Sequence, residues 1–505
     1  MNNGVKAPPN TIASIVRNIG PGLILAGSIV GSGELIATTK TGAEAHFDFL
    51  WLIILGCIVK VFAQIELGRY VITHNKTSLS ALNSLPGPRL KLATKGGKIE
   101  ANWILLFWSV MLLTILAQQG GIAGGVGQAM AITFPLSEEG SQRNQLVSEK
   151  VSLTLQLSEA EKSGNLNQAN LLHQKLESFP DLPESKDDVF WAIILATLTI
   201  ALLLNGKFSF IEKFCIFLVS SFTLITIINL IALQTHDAWA VRTDDLIAGL
   251  SFSFPSVSAD KNPIVTALAT FGIIGVGASE LLVYPYWCME KGYARFTGSR
   301  EPGDQWLDRA KGWLRVMRWD AWGAMFVYTF CTIAFYLLGA SVLGRTGLVP
   351  AGSEMIQTLS SMYAPVFGEW ARIIFLWGAI AVLFSTFFVA LAGQGRMAID
   401  ALMVSGIIQK NQKNRSMGLK ITATLFPVLS VSCYAFFPKP VVLILISGTM
   451  QALMLPLIGF AVLYFRYRES DARLGHSFIW DFFLWLSFLS FLAIGCYQAY
   501  AQILS

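Results

Sequence analysis

The chain has 505 residues, of which 53% are hydrophobic and only 14% are charged, and its mean hydropathy is +0.55. These values exclude an ordinary soluble globular protein and predict a chain that lies within a membrane. The small net charge of +5 gives no sign of a polyanionic partner.

Eleven apolar stretches, each long enough to cross a bilayer, follow one another along the chain. The polar residues 1–14 carry no signal cleavage site, so we expect them to form a cytoplasmic tail before a retained first helix. The chain is therefore predicted to be an all-α polytopic membrane protein. Its spans, numbered in chain order, are predicted at 15–38, 49–70, 102–133, 189–204, 211–233, 263–288, 320–343, 371–395, 418–437, 440–465 and 477–502.

The positively charged residues predict the orientation of these spans. With the N-terminus inside, 25 of the 37 Lys and Arg residues fall in the inner segments and 11 in the outer ones. Because positive loops stay on the cytoplasmic side, we expect a multi-pass protein of the cell membrane, plasma or inner, with an external C-terminus. The positive charge is then explained by the orientation of the spans. We expect the chain to be surrounded by a lipid bilayer and to bind no nucleic acid.

Three groups of polar residues stand out within the spans. Glu66 and Arg69 are three residues apart near the inner end of span two, which predicts an ion pair, with a gate as the alternative. Gln118 interrupts span three, where an amide either bonds a neighbouring helix or lines a path. Asp320 begins predicted span seven, where the helix dipole would favour a carboxylate.

Residues 136–187 form a polar connection that falls outside in the predicted orientation. Leucines and valines recur at helical spacing on both sides of the break Ser163-Gly164-Asn165, which predicts an external helical hairpin. We interpret it as a solvated appendage, with a docking surface as the alternative.

Two glutamates occupy matching positions deep in apolar spans. The sequence Gly31-Ser32-Gly33-Glu34-Leu35 lies in span one, and Gly277-Ala278-Ser279-Glu280-Leu281 lies in span six. An ionised carboxylate at bilayer depth costs about 2.5–3.5 kcal/mol, so a chain that carries two of them is expected to use them. The matched positions predict two five-helix halves, at 15–233 and 263–465, followed by an extra helix at 477–502.

Inverted repeats of this kind place a binding site at the midplane, on paired discontinuous helices. Glycines on both sides of each phrase predict that helices one and six are discontinuous there. Glu34, Glu280 and the Ser279 hydroxyl, with freed backbone oxygens at Gly31 and Gly277, would form a hard oxygen site suited to Mg²⁺, Mn²⁺ or Ca²⁺. The alternative is that each glutamate merely pairs with a buried cation.

Lys60, near the middle of span two, is the candidate for that buried cation. If it does not pair with a glutamate, it becomes a candidate path or gating residue. No nucleophile and base are paired in the sequence, so we expect neither an enzyme nor a cofactor.

Several motifs in the same order and spacing resemble the Nramp family of divalent-metal transporters. The resemblance implies a LeuT-type fold of two inverted five-helix repeats and a secondary transporter that moves a divalent metal by alternating access. It covers nearly the whole chain except 136–187. The motifs are Gly20-Pro21-Gly22, Gly31-Ser32-Gly33-Glu34, Gln64 with Arg69, Gly272-Ile273-Ile274-Gly275, Ser385-Thr386, Leu391-Ala392-Gly393-Gln394, and Ser447 through Pro456.

The chain departs from the family at the metal ligands. The family's metal-binding Asp falls on Gly31, its Asn on Glu34 and its Met on Ser279. Without the thioether, preference for soft transition metals does not carry over, and Mg²⁺ or Mn²⁺ is favoured. The family's tenth-helix Gln falls on Gly448, and Gln451, one turn away, is a candidate path residue in its place.

The family's proton relay does not match either, because Leu281 stands where the family has a His. In this respect the chain is similar to the Nramp-related magnesium transporters, which also lack the Met. A rival interpretation comes from Ile29 through Gly33, which resemble the Gly-Ser-Gly turn of amino-acid and polyamine carriers of the same superfold. In such a carrier one of the glutamates would bind an amino group.

Overall fold

A computed structural model describes residues 4–94, 97–205, 208–255, 262–368, 370–475 and 477–504. Ten helices of this part are long and apolar enough to cross a membrane, and the helix Phe208–Leu233 corresponds to predicted span five. The predicted all-α membrane architecture is confirmed. In chain order the spans are Pro21–Ala45, Leu50–His74, Trp103–Thr133, Asp187–Leu204, Phe208–Leu233, Pro263–Lys291, Asp304–Gly344, Trp370–Val404, Gln412–Phe436, Pro440–Glu469 and Phe478–Leu504.

Span one lies at the centre of the bundle and the last span at its periphery. In the most apolar window of span one 94% of the residues are buried, against 22% in span eleven. Span one is small-residue rich, so neighbouring helices approach it closely: a Cβ on Gly22 would lie 2.7 Å from the Asp320 carbonyl oxygen of span seven. Residues at the midpoint of span one are therefore enclosed by protein on all sides.

The two predicted helix interruptions take different forms. Span six breaks completely, into the half-helices Pro263–Ile273 and Ala278–Lys291. Span one keeps its helical course, because Val30–Thr38 forms a π-helix between the α-helices Pro21–Ile29 and Thr39–Ala45. A π-helix widens the turn and frees backbone groups without ending the helix, and such segments occur frequently at functional sites.

The prediction that Asp320 lies at the start of span seven was wrong. Span seven begins sixteen residues earlier than predicted, with the α-helix Asp304–Leu338, so Asp320 lies well inside it. Its carboxylate accepts hydrogen bonds at 2.7 Å from the backbone N–H groups of both Gly20 and Gly22, at the start of span one. Asp320 thus caps the N-terminus of another span, where unpaired N–H groups and the helix dipole favour an anion.

The connections hold most of the remaining elements. The predicted hairpin in 136–187 is confirmed as the helices Glu138–Lys162 and Leu166–Glu177, joined by contacts between Leu157, Ala160, Ala169 and Leu172. An antiparallel strand pair that we had not predicted, Arg89–Thr94 with Gly97–Asn102, precedes span three. Short helices lie at Ile12–Asn18, Ser78–Asn83, Thr243–Leu250, Tyr293–Thr297, Gly352–Glu354, Met355–Ser360, Ser361–Tyr363, Ala364–Phe367 and Ala472–Leu474.

Candidate metal site

The interruption of span six comprises the four residues Ile274 to Gly277. Gly275 adopts φ +54°, a left-handed conformation that favours glycine, and Gly277 is the N-cap of the second half-helix. The first half-helix is held against span ten, since a Cβ on Gly272 would collide with the Gly448 carbonyl oxygen. The glycines therefore allow both the break and the close packing that surrounds it.

Glu34 reaches this interruption from span one. The side chain is fully buried, and its Oε1 accepts hydrogen bonds from the Gly275 N–H at 3.2 Å and from the Thr332 hydroxyl at 3.0 Å. Its Oε2 is also buried and has no hydrogen-bond partner within the described part of the chain. Burying an acceptor without a donor is costly, so this oxygen is available for a cation.

Glu280 reaches the same interruption from the opposite end. It lies in the first turn of the second half-helix and remains partly exposed. Its Oε2 folds back over Gly277, 2.6 Å from the position that a Cβ on Gly277 would occupy. One glutamate thus contacts Gly275 and the other covers Gly277, so the two carboxylates flank a single four-residue segment.

Gly31 is covered by a side chain of span eight. The Thr386 hydroxyl accepts a hydrogen bond from the Gly31 N–H and donates one to the Gly27 carbonyl, both at 3.1 Å. A Cβ on Gly31 would lie only 2.5 Å from Thr386 Oγ1. In this packing a carboxylate fits one turn later, at Glu34, and none fits at residue 31.

Amide and hydroxyl side chains connect the helices around the interruption. Gln118 of span three donates to the Ser32 hydroxyl at 3.0 Å, and its Oε1 accepts from Ser447 at 2.7 Å and from Gln451 at 3.0 Å. The Gln451 Oε1 in turn accepts from the Ser279 N–H at 3.1 Å. The two glutamines selected from the sequence therefore lie in one network with both glutamate-bearing segments.

Gln394 extends this network to span eight and was missed as a site residue. Its Nε2 donates to the Ser279 hydroxyl at 2.5 Å, while its buried Oε1 has no partner among the described residues. The signal available in the sequence was an amide in an otherwise apolar run, Leu391-Ala392-Gly393-Gln394. Gln394 Oε1, like Glu34 Oε2, is a buried oxygen without a donor among the described residues.

Lys60 is fully buried but takes neither glutamate as a direct partner. Its ammonium donates to the carbonyl oxygens of Phe271 and, at 2.8 Å, Ile274. Those carbonyls end the first half-helix, where the helix dipole favours a cation. Lys60 forms no ion pair within 4 Å in the described part of the chain, although its charge acts on both carboxylates.

The candidate ligands at the interruption are oxygen atoms. Among the described residues no group of three or more His, Cys, Asp and Glu side chains lies together. Two carboxylates, amide oxygens and backbone oxygens are the donors that hard divalent cations prefer.

A family profile for Nramp, the natural resistance-associated macrophage protein-like family, matches residues 185–502. No curated protein sequence matches the chain. A solved structure of a manganese transporter variant from Eremococcus coleocola is similar, with a TM-score of 0.62 and 14% identity over 99% of this chain and 90% of that one.

Two further solved structures share the fold. The Eremococcus coleocola manganese transporter in complex with an aromatic bis-isothiourea compound gives a TM-score of 0.60 with 15% identity, over 98% of this chain and 89% of that one. MhsT in complex with L-phenylalanine gives a TM-score of 0.55 with 16% identity, over 97% of this chain and 99% of that one. The fold is thus the predicted LeuT type. With more than half of its residues matched by the family profile, the chain belongs to the Nramp family of metal transporters and is not an enzyme.

Proposed function

We propose that this chain is a secondary transporter that moves a hard divalent cation, Mg²⁺ or Mn²⁺, by alternating access. The observation that carries the proposal is that Glu34 and Glu280 flank one interruption, in span six, from its two ends. Two carboxylates at one helix interruption match the charge of one divalent ion.

We assign the ligands to Glu34, Glu280 and the Ser279 hydroxyl, with backbone oxygens at Gly31 and Gly277. Gln394 Oε1 is an additional candidate, because it is buried beside Ser279 and no described residue donates to it. Each of these donors is an oxygen, which favours Mg²⁺ and Mn²⁺ over copper or zinc. The similar solved structures of a manganese transporter support Mn²⁺, and the absence of a thioether at Ser279 supports Mg²⁺.

Alternating access would exchange a defined set of contacts. Three hydrogen bonds connect spans one and six to neighbouring spans. They join Gly31 to Thr386, Ser32 to Gln118, and Ser279 to Gln451. We propose that spans one and six rock against spans three and eight, so that these bonds break on one side of the ion and form again on the other.

Uptake into proteoliposomes tests the proposal, with Mg²⁺, Mn²⁺ and amino acids compared while internal pH is recorded. We expect saturable uptake of a divalent ion that Glu34→Gln and Glu280→Gln each abolish. The first variant keeps an oxygen acceptor for the Gly275 N–H, so it should fold. Glu44→Gln is the control, since Glu44 lies on the same span in an ion pair with Lys40, outside the site.

Normal metal uptake by both variants would remove the site assignment. Saturable amino-acid uptake without metal flux would replace the proposal by an amino-acid or amine carrier. Metal uptake with matched acidification of the interior would show proton coupling, which the missing relay residues led us not to expect.

A further inference from the structure

A polar cavity of about 480 Å³ lies between spans two, seven, ten and eleven. None of its lining residues belongs to the candidate metal site. Of the described residues, four with charged side chains line it: Glu66, Arg69, Arg318 and Arg466. The predicted ion pair between Glu66 and Arg69 is confirmed, at 3.2 Å, and it forms one wall of this cavity.

Glu66, the one acid among the described residues that line the cavity, already accepts several hydrogen bonds. Glu66 accepts hydrogen bonds from Arg69 at 3.2 Å, from Arg466 at 3.4 Å and from the Trp480 indole at 3.1 Å. Arg466 also pairs through Nε with Asp481, at 2.9 Å. Both carboxylates of the cluster are therefore occupied by guanidinium groups.

Positive charge remains after these pairs are formed. Three arginines stand against two acids, and Arg318, which is exposed, has no ion pair in the described part of the chain. Arg69 is 95% buried, and its Nε has no hydrogen-bond partner among the described residues. A buried guanidinium N–H without an acceptor is costly unless a ligand supplies one.

We propose that this cavity binds a phosphate group, carried by an anionic lipid or free in solution. The planar guanidinium group of arginine matches the geometry of a phosphate group, and an anion would balance the excess positive charge of the cavity. The remaining wall is apolar, from Leu314, Met317 and Ile479, and Ile479 is 68% exposed at the rim. In the predicted orientation the cavity faces the cytoplasmic leaflet, where anionic lipids concentrate.

Thermal unfolding of the full-length protein in detergent tests this proposal. The probes are short-chain phosphatidylglycerol, short-chain phosphatidylcholine as the zwitterionic comparison, and inorganic phosphate. We expect phosphatidylglycerol to raise the unfolding temperature in a saturable manner, and Arg318→Gln to weaken its apparent affinity about fivefold, the effect of one basic residue near an anionic headgroup. Arg315→Gln is the matched control, since Arg315 is exposed on the same helix but does not line the cavity.

Saturation by phosphatidylglycerol alone assigns the phosphate to a lipid, and saturation by inorganic phosphate assigns it to a soluble ion. The proposal is overturned if neither phosphate probe stabilises the protein more than phosphatidylcholine does. It is also overturned if the two arginine variants lose affinity equally, because the response would then reflect overall charge and not this cavity.

Discussion

Asp320 illustrates how one carboxylate can serve two spans. Its oxygens receive the N–H groups of Gly20 and Gly22, and Oδ2 also accepts from the Tyr284 hydroxyl at 3.0 Å. Tyr284 belongs to the second half-helix of span six, so one acid links spans one, six and seven. The Gly22 N–H and the Tyr284 hydroxyl are buried, and the Gly20 N–H is partly buried.

Asp320→Asn should therefore lower the unfolding temperature of the protein. An amide offers one acceptor where the carboxylate offers two, which leaves a buried N–H opposite an NH₂ group at a cost of about 1–3 kcal/mol. Thermal unfolding in detergent measures the effect. Asp308→Asn, exposed on the same helix, should leave the unfolding temperature unchanged; equal shifts in the two variants would contradict the capping role.

Ser279→Met should change the preference between metals. Ser279 stands where the resemblance places the family's Met, and its hydroxyl receives a hydrogen bond from Gln394. A thioether favours Mn²⁺ over Mg²⁺ because manganese is the softer ion, so the ratio of their uptake rates should rise by about tenfold, the scale on which residues around a metal act.

Ser279→Ala is the comparison for this change, since it removes the hydroxyl without adding sulfur. Competition between the two ions for uptake into proteoliposomes measures both variants. The same ratio in the Met and Ala variants would mean that residue 279 does not contact the ion.

At the scale of elements, the interruption of span six depends on the space that Gly277 leaves. A Cβ there would lie 2.6 Å from Glu280 Oε2 and 3.0 Å from Gln451 Oε1. Gly277→Ala should displace the carboxylate and reduce metal uptake by about tenfold or more, since misplacing a reacting group by about 1 Å carries a cost of that size. Uptake kinetics at varied metal concentration measure the loss.

Gly323→Ala provides the control, because a Cβ at that position of span seven meets no atom of the described residues within 4 Å. It should transport as the unmodified protein does. Unchanged uptake by Gly277→Ala would show that the Glu280 carboxylate can relax away from the glycine without consequence.

The form of each element was only partly predictable. The break in span six followed from its glycines, because Gly275 needs a conformation that other residues rarely adopt. The π-helix in span one did not follow, since glycines alone do not distinguish a widened turn from a broken one. The strands at 89–94 and 97–102 largely alternate polar and apolar residues, a signal that is separate from the long apolar runs that predict spans.

At the scale of the whole molecule, the predicted orientation places the hairpin of residues 136–187 outside the cell. A protease site inserted after Gly164, in the turn between its two helices, should be cut when protease is added to intact cells. The same site inserted after Gln409, between spans eight and nine, should be cut only after permeabilisation. The reverse pattern would invert the orientation and place the arginine-lined cavity on the outer side.

The site itself was partly accessible from the sequence. Glu34 and Glu280 could be singled out because a carboxylate in an apolar run is costly, and their matched phrases suggested that they share a site. Their common contact with the interruption of span six depends on packing between residues 241 positions apart, which no local pattern encodes. Thr386 and Lys60 obtain their roles in the same way, through contacts with distant backbone groups.

The contact between Thr386 and Gly31 also constrains how this branch can change in evolution. An aspartate introduced at residue 31 would clash with the Thr386 side chain. Gly31→Asp is therefore tolerated only after residue 386 has been replaced by a residue with a shorter side chain. The two substitutions, 355 positions apart, must therefore occur in a fixed order: residue 386 of span eight changes first, and residue 31 of span one changes second. With its acid at residue 34 and a threonine packed against residue 31, the chain cannot regain an aspartate at residue 31 by one substitution alone.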